Sequence, residues 1–279
     1  MDLAEEADIG AYFERIGFAG SMAPTLETLN QLHQLHIAAI PFENLDPLIG
    51  APVRLDLPNL QQKLLFDRRG GYCIEQNLLF KAVLESLDFP VRTLGARVLW
   101  GHAADEERPL SHLVLAVDVA GVSYLADVGF GGLTPSAPLR LRAELEQETP
   151  HERFRLLGGD PDWRLEVELG GEWKVLYAFE VQEMQAEAIS AMNDFVSAVG
   201  TQRDNLIAAR AEKGRRLALR NFKLNTHVTG GASEARMLQS VGEVKEVLTG
   251  LFGLALPADD RLDPALARIL AREQAAEAS

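Results

Sequence analysis

The sequence predicts an α+β fold in three consecutive parts: a helical bundle over residues 1–88, a block of short antiparallel strands with a connecting helix over 89–195, and a smaller α/β unit over 196–279. Three observations carry that division. Up to Leu87 the apolar residues recur every three or four positions between capping and stopping residues, the period of one buried helix face. After Pro90 the period changes to two, punctuated by turn residues at short intervals. Beyond residue 196 both periods occur.

In the first part, Asp8 caps a helix whose inner face is Ile9, Tyr12, Phe13 and Ile16 and which ends near Gly17. Pro24 suits the first position of a second helix, continued by Leu26, Leu29, Leu32, Leu35 and Ile37 and stopped at Pro41. Asp56 and Pro58 open a third through Leu60, Leu64 and Leu65. A fourth, over 74–87, carries Leu78, Leu79, Ala82, Val83 and Leu87 at helical spacing, which places Cys73 in its first turn.

Strands are expected at 91–99, 111–119, 122–128, 139–141 and 153–157. Alternation at Trp163, Leu165, Val167 and Leu169 resumes after Gly170-Gly171 at Trp173, Val175, Tyr177 and Phe179, a hairpin signature. So many short strands in one block close as a barrel or pack as a sandwich. A helix at 181–195, with Met184, Ala188 and Ile189 on one side, then leads to strands within 217–228 and helices at 241–252 and 264–271.

Composition bounds the function. A chain of 279 residues that is 47% hydrophobic and 24% charged can fill two or three cores. Its net charge of −14 argues against nucleic acid, whose phosphates demand clustered Lys and Arg. The one basic stretch, 203–223, could meet a small phosphorylated ligand or form a solvated hairpin face. One cysteine permits no internal disulfide framework, no apolar run spans a bilayer, and the start Met1-Asp2-Leu3-Ala4-Glu5-Glu6 lacks the features of a secretory leader. A cytoplasmic protein with no membrane partner is expected, and its oligomeric state is open. His33 and His36 stand one turn apart but lack the glutamate of a zinc motif, so they are expected as core or surface histidines and no metal is expected.

The chemistry is expected around Asp67-Arg68-Arg69-Gly70-Gly71-Tyr72-Cys73-Ile74-Glu75-Gln76-Asn77, which holds the only cysteine. A thiol in the first turn of a helix faces unpaired amide donors and the positive end of the helix dipole, and Arg68 and Arg69 are expected to push the same way, toward the nucleophilic thiolate. Read alone, Cys73 could equally be a small buried hydrophobe. Partners come from one hairpin. If Ala120-Gly121 is a two-residue turn, Val119 faces Val122, and counting back puts Val114 opposite Asp127 and His112 opposite Gly129. His112 and Asp127 then share a sheet face as diagonal neighbours, roughly 7 Å apart at Cβ, within reach of a hydrogen bond. A carboxylate in an otherwise apolar strand needs such a partner. A histidine fixed in this way can take a proton from a thiol, although a purely structural His–Asp pair fits the same spacing.

Three blocks resemble the active-site segments of the arylamine N-acetyltransferases: Arg69-Gly70-Gly71-Tyr72-Cys73-Ile74-Glu75-Gln76-Asn77, Ser111-His112-Leu113, and Asp127-Val128-Gly129-Phe130-Gly131-Gly132. Upstream, Tyr12-Phe13-Glu14-Arg15-Ile16-Gly17-Phe18 and His36-Ile37-Ala38-Ala39-Ile40-Pro41-Phe42-Glu43-Asn44-Leu45 agree with it. The resemblance implies a helical bundle, an antiparallel β-barrel and an α/β lid, with a Cys-His-Asp triad like that of cysteine proteases at Cys73, His112 and Asp127. It also implies acetyl-CoA as donor, an acetyl-cysteine thioester, ping-pong transfer to an aromatic amine or hydrazine, and an acceptor pocket at Phe130, Phe42 and Gly131. An amide synthase of the same family or a Cys-His-Asp hydrolase would use the same three residues. The resemblance weakens after the interdomain helix: where the family often carries Ser-Thr-His-Pro, this chain has Asn193-Asp194-Phe195-Val196-Ser197-Ala198-Val199-Gly200-Thr201.

Overall fold

The computed structural model describes residues 6–103, 105–198 and 201–277. Residues 1–5, which opened the stretch read for a leader, and Val199-Gly200 in the divergent segment lie outside them. The first helix, α1 (Ile9–Ile16), is capped by the Asp8 carboxylate, which accepts from the Ala11 amide at 2.9 Å, and stopped by left-handed Gly17. The second, α2 (Leu26–Ala39), begins on Thr25, whose hydroxyl accepts from the Thr28 amide; Pro24 therefore precedes the cap instead of occupying the first turn. Two elements between α2 and the cysteine escaped the pattern: a two-residue strand β1 (Phe42–Glu43) and a short helix α3 (Leu45–Ile49). Asp56 caps α4 (Leu57–Gln61) as expected, but the helix widens into a π-helical turn over Gln62–Phe66, which turns Leu64 and Leu65 inward and Phe66 out to solvent. Cys73 is the first residue of α5 (Cys73–Ser86).

The central strands are β2 (Val91–Val98), β3 (His112–Val119), β4 (Val122–Ala126), β5 (Leu139–Arg140), β6 (Glu146–Glu148), β7 (Arg153–Gly159), β8 (Asp162–Leu169) and β9 (Glu172–Glu183). They form one antiparallel sheet in the order β5-β4-β3-β2-β9-β8-β7-β6, and the barrel, not the sandwich, is the outcome. It is nearly closed. At the seam the Gln147 side chain of β6 accepts from the Arg140 amide of β5 at 2.7 Å and donates to the Arg140 carbonyl at 3.1 Å, standing in for a missing strand pair. Both expected hairpins form. Ala120 and Gly121 carry positive φ angles of 50° and 79°, and Val119 pairs with Val122. Gly170-Gly171 does the same between Leu169 and Glu172. The expected helix at 181–195 starts later: β9 runs to Glu183, where Met184 still bonds to Thr93 across the sheet, and α6 (Ala186–Ala198) follows.

After α7 (Thr201–Asp204) come β10 (Ile207–Glu212), β11 (Arg215–Arg220), β12 (Lys223–Val228) and β13 (Ser233–Met237), then α8 (Val241–Gly250) and α9 (Leu262–Glu277). The second sheet has the order β1-β10-β11-β12-β13, so its first strand is drawn from the N-terminal part, with Phe42 opposite Ala209 and Glu43 opposite Ala208. Helices α8 and α9 cover it with Val244, Leu248, Leu266 and Ile269. A separate core joins α1, α2 and α5 to one face of β3, through Tyr12, Leu29, Phe80, Leu115 and Val117. Among the described residues no helix is long and apolar enough to cross a membrane.

The loop before Cys73 runs beside residues 41–43, with the Glu43 amide donating to the Gly71 carbonyl at 3.1 Å. A Cβ on Gly70 would lie 2.1 Å from the Pro41 carbonyl oxygen and 2.8 Å from Glu43 Cγ. Backbone cannot yield as a side-chain tip can. Gly70→Ala is expected to destabilise the fold by about 1–3 kcal/mol, the usual cost of overpacking, as read by urea unfolding. Wild-type stability in that variant would show that the two segments separate freely.

A candidate active site around Cys73

Charge pairing shapes the loop that presents Cys73. Arg69 donates to Glu43 at 2.8 Å and to Asp46 at 2.8 Å, while Lys63 contacts Asp46 and Glu75, each at 2.6 Å. Glu75 also accepts from the Tyr72 amide at 3.0 Å, closing a capping box at the start of α5. Burial raises the Glu75 carboxyl above its ordinary range despite Lys63 beside it; at Asp46 burial acts the same way but Lys63 and Arg69 outweigh it and hold it low. The sequence expectation for the two arginines is corrected here. Arg69 is engaged with Glu43 and Asp46, and Arg68 is exposed, so their charges organise the loop and the surface instead of facing the thiol.

A second brace lies behind the cysteine. The Tyr12 hydroxyl lies 2.8 Å from His36 Nδ1, and His36 Nε2 lies 2.7 Å from Gln76 Oε1, which assigns the ring proton to Nε2 and the hydroxyl proton to Nδ1. Gln76 donates onward to the Pro41 carbonyl at 2.8 Å. Burial lowers the His36 pKa to about 3 and that of His33, packed edge-on against Phe80, to about 4. Both are neutral core histidines, and His36 has no nitrogen left for a metal.

Cys73, His112 and Asp127 come together where α5 meets β3. His112 Nε2 is 2.8 Å from Asp127 Oδ2, and both side chains are almost wholly buried. Nδ1 is the ring nitrogen left free of Asp127, and the nearby Cys73 side chain acts with Asp127 to raise the imidazole. The thiol itself points toward the Ser111 carbonyl at 3.8 Å. Three further donors converge on Asp127: the Tyr177 hydroxyl at 3.0 Å, the Asn77 amide at 3.1 Å and the Gly129 N–H at 2.9 Å. Burial alone would push this carboxyl up and the imidazole down. The ion pair and its hydrogen bonds reverse both, holding Asp127 below its ordinary value and bringing His112 up to about 10.

Asn77 does more than donate to Asp127. Its Nδ2 also reaches the Leu113 carbonyl at 2.8 Å and its Oδ1 accepts from the Val128 amide at 3.1 Å, so one side chain of the cysteine helix sets the position of β3 and of the strand end that carries the carboxylate. The approach is close. A Cβ on Gly129 would fall 2.7 Å from Cys73 Cα, which only glycine avoids. From sequence alone Asn77 carries no role, and Tyr177 reads as an alternating strand residue. A polar tip on a buried strand position was the signal available for Tyr177.

Cys73 and His112 open on a cavity of about 340 Å³ between bundle, barrel and second sheet, with Asp127 buried behind the imidazole. All three residues expected at a substrate pocket line it: Phe130, whose ring lies 5.2 Å from the His112 ring, Phe42, and Gly131, which at φ 91° passes over the Phe42 ring. Val98 and Trp100 also contribute to the wall. The basic stretch 203–223 is not one patch. Arg216 is buried against Glu152, Arg215 pairs with Glu212, and Arg210 donates to the Ala38 carbonyl and pairs with Glu212. In the divergent segment, Asn193 accepts the hydroxyl proton of Tyr72 and donates to the Val53 carbonyl at 3.3 Å, tying α6 to the cysteine loop.

A family model described as N-acetyltransferase matches residues 25–261. The arylamine N-acetyltransferase / N-hydroxyarylamine O-acetyltransferase of Salmonella typhimurium is 40% identical over 250 residues, covering 88% of each chain. Among solved structures, Mycobacterium marinum arylamine N-acetyltransferase superposes with a TM-score of 0.90 at 37% identity, covering 94% of this chain and 100% of the other. The same enzyme in complex with CoA gives 0.89 at 36% identity, covering 94% and 99%.

The electrostatics of the pair make a signed prediction. Because the His112 pKa is raised from 6.5 to about 10 in the folded protein, its contribution to stability is complete below about pH 6.5 and lost as pH rises through 10. Asp127→Asn removes the cause of that shift. The stability gap between wild type and Asp127→Asn is therefore expected to be larger at pH 6.5 than at pH 10, by at least about 1.4 kcal/mol, the equivalent of one pKa unit. Urea unfolding at the two pH values measures it, and a gap that does not change with pH would mean that no imidazolium–carboxylate pair forms.

Proposed function

The chain belongs to the arylamine N-acetyltransferase family and is an acyltransferase, and from that premise we propose that it acetylates aromatic amines and hydrazines from acetyl-CoA through an acetyl-Cys73 thioester. The observation that carries the reading is an imidazole hydrogen-bonded to a buried carboxylate and sharing an aromatic-walled cavity with the Cys73 thiol. The CoA-bound relative supports CoA as the carrier of the acyl group. On this reading residues 1–88 carry the nucleophile, 89–195 its two partners and 196–279 a lid. A cytoplasmic setting goes with it, since the thiol must stay reduced.

At neutral pH His112 already holds the Cys73 proton at Nδ1 as an imidazolium, and the thiolate so formed attacks the thioester carbonyl of acetyl-CoA. Collapse of the tetrahedral adduct breaks the carbonyl bond to the CoA sulfur, and the imidazolium returns the proton to the departing thiolate. An arylamine nitrogen then attacks the Cys73 thioester, His112 accepts a proton from that nitrogen, and Cys73 leaves as the thiolate, which restores the thiolate–imidazolium pair. Asp127 remains ionised throughout and keeps the Nε2 proton of the ring in place. The amide N–H of Cys73, at the first helical position and so without an intrahelical acceptor, is a donor for the oxyanion. Phe130 is the wall that seats the arene and keeps water from the thioester.

Incubation with acetyl-CoA and no acceptor is expected to add one acetyl group to the intact mass, located on Cys73, and Cys73→Ser is expected to reduce transfer to background because a serine hydroxyl is a far weaker nucleophile at neutral pH. Transfer that survives in Cys73→Ser would rule out the covalent route.

Phe130→Ala is expected to slow transfer to arylamines about tenfold or more through the lost contact area, to slow the first acetylation less, and to hasten hydrolysis of the acetyl-enzyme. The assay is decay of isolated acetyl-enzyme with and without an arylamine. Wild-type thioester that decays equally fast in both would identify a hydrolase instead.

A further inference from the structure

Fixed charge is distributed unevenly around the Cys73 cavity. In a chain of net charge −14, no aspartate or glutamate lines it, and apart from His112 its one basic side chain is Arg220. Arg220 is exposed and, among the described residues, has no ion-pair or hydrogen-bond partner for its guanidinium, unlike Arg210, Arg215 and Arg216 earlier on the same hairpin. Its backbone is nonetheless anchored. It closes β11 opposite Ile207, and the next residue, Asn221, at φ 54°, accepts from the Leu206 amide at 3.0 Å and donates to Asn205 at 3.1 Å and Glu273 at 2.9 Å. Two amide side chains, Gln202 and Asn225, line the cavity from the same sheet side, and Gln202 Oε1 is buried without a partner. Phe42, Phe130 and Val98 supply its aromatic and apolar lining.

A cavity with an apolar wall, a thiol and imidazole, and a rim of one free guanidinium with amides is built for a substrate that is apolar near the reacting atom and anionic away from it. We infer that Arg220 reads an anionic group, a phosphate or a carboxylate, on the molecule that occupies the Cys73 cavity. Resting on the acyl-transfer reading, this leaves two sources: the phosphates of CoA, or a ring carboxylate on the arylamine. Arg220 is then a specificity residue that discriminates charged from neutral substrates without touching the bond being made.

The test uses Arg220→Gln, which keeps a polar side chain at an exposed position and removes its charge. Acylation of Cys73 is timed by intact mass with acetyl-CoA and with S-acetylpantetheine, which lacks the nucleotide phosphates; deacylation is timed with 4-aminobenzoate and with its methyl ester. In one pair the charged-to-neutral ratio of rate constants is expected to fall about tenfold or more, the scale of a charge-assisted hydrogen bond. A fall in the first pair assigns the phosphates, a fall in the second the ring carboxylate, and Arg220→Lys should restore part of either. If both ratios stay within about twofold of wild type, a span too small for a lost charged contact, the inference is wrong. Failure of both donors to acylate wild-type Cys73 would instead overturn the acyl-transfer reading; calorimetric binding of CoA and of 4-aminobenzoate to the Arg220→Gln protein, with unchanged affinity for both as the adverse result, then decides the inference separately.

Discussion

A carboxylate buried among apolar strands is the constraint on which the rest of this structure turns. Taking the Asp127 charge out of water costs several kcal/mol unless donors replace the solvent. The replacements come from separate places: His112 on β3, Asn77 on α5, Tyr177 on β9 and the Gly129 amide. Satisfying one side chain therefore fixes a helix against a strand and both against β9, two strands away in the barrel. The close packing of Gly129 on Cys73 Cα is part of the same arrangement. Loss of the carboxylate would leave a histidine, a tyrosine and an asparagine buried together without their shared acceptor.

Much of this was legible in the sequence because it depends on local rules. Two glycines before a cysteine and a helical run after it placed Cys73 in the first turn of α5. A two-residue turn at Ala120-Gly121 set the register that brings His112 to Asp127, and the ladder keeps that register from Val119–Val122 to Leu115–Ala126. Positions decided by tertiary contact were not legible. Strand β1 is two residues long and exists because β10 pairs with it, so no period could announce it. Alanine-rich β10 carries little strand signal, and its side chains suit the cavity lining more than a pleat. The delayed start of α6 has the same origin, since β9 is extended to Glu183 by its pairing with β2.

Charge explains the remaining discrepancies. Counting Arg and Lys along 203–223 suggested a patch, but neighbours in sequence on a β-hairpin point to opposite faces and meet different partners. Arg215 pairs with Glu212 while its neighbour Arg216 goes inward to Glu152, and Arg220, four residues on, lines the cavity. Likewise the two arginines before Cys73 are separated by function: one belongs to a buried network of Glu43, Asp46, Lys63 and Glu75, the other to the surface. Such networks contribute little net stability but strongly penalise alternative loop geometries when one partner is displaced.

Strand β1 joins two jobs that a modular view of the chain would separate. Phe42 and Glu43 are paired to β10 on one side and hydrogen-bonded to the Gly71 carbonyl on the other, while the Phe42 ring faces the cavity and the Glu43 carboxylate holds Arg69. The C-terminal sheet is consequently stitched to the segment that presents the nucleophile. It cannot be transplanted as a cassette: a chimaera that exchanged residues 196–279 between relatives would inherit a foreign first strand, and evolutionary drift in β10 is coupled to drift at two positions more than 160 residues earlier in the chain.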